Sequence, residues 1–213
     1  MRVKICGLMR LVDVNAALAE GADAVGFVVA SPSSPRNISL RKAQELMKSV
    51  RVFSTRVAVT STLEPRTLFK ICSKLKPDAL QLHHHTPKLV RLLRKKQVTK
   101  LLLATPIGDA SSLTRAKRTA AYSDAVLADT SSDTGMGGTG RTHDWELTAE
   151  IRDAIYPHPL ILAGGLTPEN VTSAIQKVRP FAVDVSSGVE KTVGVKDHNK
   201  IREFIVNARR NPE

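Results

Sequence analysis

The sequence predicts a (β/α)8 barrel, and two observations support that prediction. Short apolar runs of strand length alternate with amphipathic stretches of helix length from one end of the chain to the other. Eight such strand–helix units fit into 213 residues, near the lower size limit of this fold. An open, doubly wound parallel sheet is the alternative that the same alternation allows. No composition break marks a second domain, so residues 1–213 are expected to form one barrel domain.

The strands are assigned from apolar or alternating runs of four to six residues, each followed by a polar or glycine-containing loop. Gly7, for example, ends the first of them. In chain order the predicted strands are Val3–Cys6, Ala24–Val29, Ser54–Val59, Ala79–His83, Lys100–Ala104, Ala125–Ala128, Leu160–Ala163 and Phe181–Val185.

The helices are assigned from apolar spacings of three and four residues and from residues typical of helix ends. Ser39, Thr86 and Thr167 are expected to be N-caps. Pro87 suits a first helical position, and Gly21 is typical of a C-terminal stop. In chain order the predicted helices are Arg10–Glu20, Ser39–Lys48, Pro65–Leu75, Pro87–Lys95, Ser112–Tyr122, Trp145–Ile155, Pro168–Lys177 and Asp197–Ala208.

Composition narrows the class of protein. The net charge is +12, but the basic residues are spread along the chain and aromatics make up only 4%, so no stacking platform for nucleic acid appears. A positive field also suits an anionic small substrate. Cys6 and Cys72 lie far apart without metal-ligand spacing, which favours free thiols in the cytoplasm. No apolar run has membrane-spanning length, and Lys4 interrupts the start, so neither a membrane span nor a signal peptide is predicted.

Polar side chains are expected to converge at the carboxyl ends of the strands, where barrel active sites lie. Because residues alternate faces along a strand, one inward-facing set is predicted: Cys6, His83, Asp129 and Asp184. Such a set is hard to explain as core filling, since unpaired charges inside a barrel are costly. A thiol with carboxyl groups indicates general acid–base chemistry. A structural ion-pair network that includes Lys4 is the alternative.

Two late glycine-containing loops predict a phosphate site. Gly164 and Gly165 follow the seventh strand, and Ser187 and Gly188 follow the eighth. Small residues there let backbone N–H groups approach an anion. The loops after strands seven and eight also bind phosphate in many barrels.

A third glycine-rich loop, at 135–142, is interpreted as a mobile lid over the site, with an ordinary surface loop as the alternative. Its glycines match the dinucleotide pattern G-x-G-x-x-G and nearly match a P-loop. However, Arg141 replaces the essential lysine, and the loop does not directly follow a strand. No nucleotide cofactor is therefore expected.

The run His83-His84-His85 is not expected to bind a metal. Neighbouring strand residues point to opposite faces, so all three cannot face one ion. A nucleophilic pair between Cys6 and a histidine is also conceivable, although no nucleophile signature surrounds the thiol.

Seven motifs together resemble the phosphoribosylanthranilate isomerase family of tryptophan biosynthesis, over nearly the whole chain and in the family's order. They are Lys4-Ile5-Cys6-Gly7, Gly21-Ala22-Asp23 through Gly26-Phe27, Ser34-Pro35-Arg36, Gln81-Leu82-His83, Asp129-Thr130 with Gly137-Gly138-Thr139-Gly140, Ala163-Gly164-Gly165-Leu166 and Asp184-Val185-Ser186-Ser187-Gly188-Val189-Glu190. The double-glycine loop alone is shared by many phosphate-binding barrels. The opening strand, the Asp129 loop and the last motif are specific in combination.

The resemblance implies an Amadori rearrangement of N-(5'-phosphoribosyl)anthranilate to 1-(2-carboxyphenylamino)-1-deoxy-D-ribulose 5-phosphate, without a cofactor. It implies that Asp129 is the general acid for the ring oxygen and that Cys6 is the general base for the sugar C2 proton. The implied substrate-binding residues are Arg36, His83 and Asp184, and the implied phosphate-binding residues are Gly164, Gly165, Ser187 and Gly188.

Three residues depart from the family pattern. Met9 replaces a usual threonine, Thr60 a usual aromatic and His84 a usual glycine, and His84 adds bulk that could alter substrate choice. The alternative functions are a related phosphosugar barrel with another substrate, such as a histidine-pathway ribotide, and a non-catalytic, basic nucleic-acid-binding paralogue. The expected protein is a cytoplasmic monomer or homodimer that binds a small phosphosugar and neither nucleic acid nor membrane.

Overall fold

The structure, a computed structural model, describes residues 1–97, 99–109, 111–130 and 144–210. Within these residues, eight parallel strands form a closed barrel. They are β1 (Arg2–Ile5), β2 (Ala24–Val29), β3 (Thr55–Thr60), β4 (Ala79–Leu82), β5 (Lys100–Ile107), β6 (Ala125–Thr130), β7 (Leu160–Leu162) and β8 (Ala182–Val185). β1 pairs with both β2 and β8, which closes the sheet. The predicted (β/α)8 fold is confirmed.

A helix follows each strand, and helix boundaries agree with the local sequence signals. The helices are α1 (Leu11–Ala19), α2 (Leu40–Met47), α3 (Pro65–Leu75), α4 (Pro87–Lys95), α5 (Ser111–Ala120), α6 (Trp145–Ile155), α7 (Val171–Val178) and α8 (His198–Arg209). The Ser39 and Thr86 side chains cap α2 and α4 as predicted, because each hydroxyl accepts a backbone N–H from the first turn at 3.2 Å. Pro87 occupies the start of α4, where a missing N–H has no cost.

The start of α7 differs from the prediction. The helix begins at Val171 rather than Pro168, so the assignment of Thr167 as its N-cap is wrong. The Asn170 side chain accepts the Thr167 N–H at 2.8 Å and donates to the Gly165 carbonyl at 2.9 Å. These bonds hold the intervening residues in a turn, which makes the loop after β7 longer than expected.

Two short pairings outside the barrel were not predicted. Asn37–Ile38 pairs in parallel with β2. Glu190–Thr192 and Val195–Lys196 form an antiparallel hairpin between β8 and α8. Both lie in segments that flank the carboxyl ends of the strands, and the hairpin places Glu190 and Lys196 beside the site described below.

The core has the two layers that a barrel requires. Leu80 and Leu82 on β4 are fully buried in the large cluster between strands and helices. This agrees with the prediction that both side chains point outward from the barrel, toward the helices. A smaller cluster fills the barrel interior with side chains: Ala104, Ala125, Leu127, Ile161, Ala163 and Ala182. Gln81, between the two leucines, faces inward and is 1% exposed.

Replacing Phe27 with alanine is expected to lower the free energy of unfolding by about 3–5 kcal/mol, because the ring is fully buried in the outer layer. Urea unfolding measures this loss. Phe53→Ala is the matched control, since that ring is fully exposed and its removal should change stability by less than about 0.5 kcal/mol. Equal losses in the two variants would contradict the assignment of Phe27 to the core.

Candidate active site

A cavity of about 100 Å³ lies at the carboxyl ends of the strands and is lined by all four side chains predicted to face inward: Cys6, His83, Asp129 and Asp184. Cys6 and His83 directly follow β1 and β4, whereas Asp129 and Asp184 lie within β6 and β8. The cavity adjoins a larger one of about 1140 Å³, and His83 and Asp129 line both. A ligand longer than a sugar phosphate therefore has room.

Lys4 lies beneath the cavity and forms an ion pair. The sequence suggested such a pair only as the alternative to acid–base chemistry. Its ammonium group donates to both carboxylate oxygens of Asp184 at 2.9 Å. The two residues are register partners on neighbouring strands, and both are buried. Lys4 also shares its face with Cys6, so the ion pair and the thiol belong to one cluster.

The thiol of Cys6 is held mainly in its neutral form. Burial raises the pKa of Cys6 above its ordinary value, the positive charge and hydrogen bond of Lys4 oppose this rise, and the negative charge of Asp184 adds to it. Cys6 is 7% exposed and faces the cavity, so it can exchange a proton with a bound ligand.

Asp129 retains its proton at higher pH than an ordinary aspartate. Burial raises the pKa of Asp129 to about 6, and the negative charge of Asp184 contributes to the rise. The Thr130 N–H, which donates to Oδ1 of Asp129 at 2.9 Å, and the more distant Lys4 oppose it. A carboxyl group with this pKa is suited to donate a proton near neutral pH.

His83 is neutral at physiological pH. Burial lowers the pKa of His83 to about 4, with a further contribution from Lys4. Its Nε2 lies 3.4 Å from Nε2 of Gln81. His84 is exposed, and His85 Nε2 contacts the Ala104 carbonyl oxygen at 3.1 Å.

Arg36 reaches the rim of the cavity but is already paired. Its Nε and Nη2 bind the two carboxylate oxygens of Glu190 at 2.7 and 2.6 Å, in the bidentate geometry that suits guanidinium. Lys196 Nζ contacts the same carboxylate at 3.0 Å and the Ser186 carbonyl at 2.9 Å. Arg36 is thereby fixed in place, with only part of its donor set left for a ligand.

The two predicted phosphate loops meet at one side of the cavity. Gly164, Gly165 and Ser187 line it directly. Gly188 does not; it packs against the Leu166 carbonyl so closely that a Cβ there would overlap it. Gly164 has φ +81°, and a Cβ on it would overlap the Thr130 hydroxyl and lie 2.8 Å from Oδ1 of Asp129. The loop after β7 thus needs glycine to approach the acid.

Within residues 1–97, 99–109, 111–130 and 144–210, no three His, Cys, Asp or Glu side chains are placed to hold a metal ion. No helix in this part of the chain is long and apolar enough to cross a membrane. The predicted lid at 135–142 lies outside the described residues.

Comparison with known proteins identifies the family. The sequence model of N-(5'-phosphoribosyl)anthranilate isomerase matches residues 3–207. The chain is 44% identical over 214 residues to an N-(5'-phosphoribosyl)anthranilate isomerase from Halorubrum lacusprofundi, covering 100% of this chain and 98% of the relative. A relative of the same name from Methanothrix thermoacetophila is 44% identical over 205 residues, covering 96% of each chain.

The chain belongs to the N-(5'-phosphoribosyl)anthranilate isomerase family. It is therefore an isomerase of tryptophan biosynthesis. A solved member from Thermotoga maritima is 40% identical, covers 98% of each chain and has a TM-score of 0.87. Another solved member, in complex with reduced 1-(o-carboxyphenylamino)-1-deoxyribulose 5-phosphate, is 38% identical over 98% of each chain with a TM-score of 0.85.

The three departures from the isomerase pattern occupy different places. Thr60 is fully buried at the end of β3, where its hydroxyl donates to the Ala30 carbonyl at 3.3 Å. Met9 packs against the hairpin turn at Gly194. His84 lines the larger cavity, so it is the departure that can contact a ligand.

Sequence reasoning missed how many charges surround the site. It placed Lys4 on the face of Cys6 and in a possible structural network, but it gave no place to Glu190 or Lys196 as neighbours of Arg36. The alternating pattern of β1 put Lys4 and Cys6 on one face, but the partner of Lys4 depends on the register between β1 and β8. That register is set by barrel closure, which no local signal reports.

Proposed function

We propose that this chain catalyses the Amadori rearrangement of N-(5'-phosphoribosyl)anthranilate by general acid–base catalysis, with Asp129 as the acid and Cys6 as the base. One observation supports this proposal above all others. A carboxyl group with a pKa of about 6 and a buried thiol line one cavity beside two glycine loops suited to phosphate.

Asp129 starts the reaction by ring opening. The carboxyl group gives its proton to the furanose ring oxygen, the bond between that oxygen and C1 breaks, and the nitrogen lone pair forms the protonated Schiff base. The cationic charge on nitrogen is balanced by the new Asp129 carboxylate. Asp129 later regains a proton from solvent and the Cys6 thiol loses one to it, so both groups return to their starting forms. C1 is reduced and C2 is oxidised within the same substrate, so no external oxidant or reductant is consumed.

Cys6 continues the reaction. Its thiolate removes the C2 proton, and the electrons of the C–H bond form a C1–C2 double bond while neutralising the iminium. The resulting enol-amine gains a proton at C1 and loses the proton of its C2 hydroxyl, which gives the ketose. A thiolate is suited to this step, since a thiol ionises at lower pH than a serine or tyrosine hydroxyl.

The remaining site residues are proposed to orient the substrate. His83, neutral and partly buried, and the open donors of Arg36 offer hydrogen bonds to the sugar and the anthranilate carboxylate. Asp184 accepts from the sugar hydroxyls on the side opposite Lys4. Gly164, Gly165, Ser187 and Gly188 are proposed to enclose the phosphate, the group that the ligand of one solved relative also has.

We expect kcat/KM to rise with pH through about 6 and to fall again in the alkaline range. The active form needs Asp129 protonated and Cys6 ionised, but Cys6 has the higher pKa, so this form is a minority whose population peaks between the two values. Initial rates from about pH 5 to about pH 10 measure this profile. Activity that falls steadily above pH ~6 would contradict the assignment of a high pKa to the base.

Cys6→Ser is expected to lower kcat by about 10²–10⁴-fold, because an alcohol is a far poorer source of a base than a thiol. Loss of substrate fluorescence on turnover measures the rate. Cys72→Ser is the matched control, since Cys72 lies on α3 away from the cavity and should leave kcat unchanged. No turnover by the unmodified protein, with salt-dependent binding of an oligonucleotide, would instead favour the nucleic-acid-binding alternative.

The setting of the enzyme is part of the proposal. We propose that residues 1–213 form one barrel domain, that the protein works in the cytoplasm, and that it needs no cofactor. We also propose that its partner is the phosphosugar substrate rather than nucleic acid. We propose that the chain is a monomer or a homodimer, since a solved relative from Thermotoga maritima is described as dimeric and has also been obtained as monomers.

A further inference from the structure

The buried ion pair between Lys4 and Asp184 needs an explanation beyond stability. Lys4 is 3% and Asp184 7% exposed, and the pair is linked by two hydrogen bonds of 2.9 Å. Moving two charges out of water costs so much that apolar residues of similar size often serve stability equally well. A charge pair at this position is therefore better explained by what its charges do to their neighbours.

Both members of the pair act on both proton-transfer groups, but the larger charge effect on Cys6 comes from Lys4 and the larger one on Asp129 comes from Asp184. Lys4 shares the inward face of the first strand with Cys6, and the two side chains converge over Gly26 of β2. A Cβ on Gly26 would lie 2.9 Å from Cys6 Sγ and 3.2 Å from Lys4 Nζ, so glycine leaves the space in which they meet. Asp184 faces the same cavity as Asp129.

We propose that the Lys4–Asp184 pair sets the ionisation states of the two proton-transfer groups: Lys4 stabilises the thiolate of Cys6, and Asp184 stabilises the protonated form of Asp129. Like charges disfavour each other and opposite charges attract, so one buried pair favours an ionised base and an un-ionised acid together. This inference rests on the proposed roles of Cys6 and Asp129. Lys4 and Asp184 act through those groups and are positioning residues in this respect.

The other charged side chains near the Cys6 thiol, among the residues that the structure describes, are already paired with a carboxylate. Those that face Cys6, besides the pair, are Lys196 of the hairpin and Arg36 of the loop after β2. Both bind Glu190, at 3.0 Å and 2.6 Å, which reduces their effect on the thiol. Among the residues that the structure describes, the charges that act on Asp129 are those of Asp184 and Lys4. Within this part of the chain, the pair is thus the main source of charge for both groups.

The test titrates the thiol of the free enzyme, so that it does not depend on turnover. In a Cys72→Ala background, Cys6 is the one thiol of the 213-residue chain, and its alkylation by iodoacetamide reports the thiolate fraction. At about pH 8, Lys4→Met should lower the alkylation rate by about tenfold or more, and Asp184→Asn should raise it by about tenfold. The double variant should react more slowly than the parent but faster than Lys4→Met alone, because Lys4 has the larger effect of the two on the thiol.

The Arg56–Asp78 ion pair at the other end of the barrel supplies the control. Its atoms lie 2.8 Å apart, and Arg56→Met with Asp78→Asn should leave the alkylation rate unchanged. Rates that change in the same direction in the Lys4 and Asp184 variants, or by less than about twofold, would overturn the inference and leave the pair a purely structural role. Failure of turnover with opposite rate shifts intact would instead overturn the proposed function alone.

Discussion

Asp129→Asn is expected to lower kcat by about 10²–10⁴-fold while leaving the fold and substrate affinity nearly unchanged. An amide has no acidic proton for the furanose ring oxygen, but it keeps the shape of the side chain. It also keeps the acceptor for the Thr130 N–H, which lies 2.9 Å from Oδ1. Steady-state turnover of N-(5'-phosphoribosyl)anthranilate, with thermal unfolding of the same samples, separates the catalytic loss from any structural one.

Asp124→Asn is the control for that loss. Asp124 directly precedes the same strand at its other end, where it binds Arg94 at 2.9 Å. Its removal should cost a little stability and leave kcat within about twofold of the unmodified enzyme. If Asp129→Asn retained more than about a tenth of the activity, the ring oxygen would have to receive its proton from another group.

Gly164→Ala is expected to raise KM and lower kcat together, reducing kcat/KM by about 10²-fold or more. A side chain here would strain a backbone at φ +81°, overlap the Thr130 hydroxyl and press on Oδ1 of Asp129. Both the phosphate loop and the acid would shift. Inhibition by inorganic phosphate, measured with the rate, shows whether the loss includes phosphate binding.

Gly21→Ala tests whether such a loss reflects backbone strain alone. Gly21 has φ +91° but lies after α1, and a Cβ there would meet only the end of the flexible Arg209 side chain. We expect a stability loss of about 1–3 kcal/mol and unchanged phosphate inhibition. A Gly164→Ala enzyme with wild-type phosphate inhibition would contradict the proposed phosphate site.

The sequence was informative wherever a local signal fixes a local structure. The bounds of α3, α4 and α6 agree with the prediction. A proline is the first residue of α3 and of α4, and the side chain of Asp144 caps the start of α6. Strand parity placed Cys6, His83, Asp129 and Asp184 on the inner face correctly, since a two-residue repeat leaves one choice once the outer face is apolar.

Contacts between distant segments were harder to predict. The bonds of Arg36 to Glu190 join residues 154 positions apart, and those of Lys4 to Asp184 join residues 180 apart. Each depends on the register and closure of the barrel. The late start of α7 has a different cause. The Asn170 side chain holds a turn where the sequence pattern predicted the first residues of the helix.

A crystal structure of this protein with reduced 1-(o-carboxyphenylamino)-1-deoxyribulose 5-phosphate would test the central claim most directly. We predict the phosphate between the Gly164–Gly165 and Ser187–Gly188 segments, with C2 of the ligand facing the sulfur of Cys6. The oxygen that was in the ring should lie within hydrogen-bonding distance of Asp129, at about 2.6–3.2 Å. A phosphate bound elsewhere, or a ligand with Cys6 and Asp129 both out of reach of these atoms, would contradict the account.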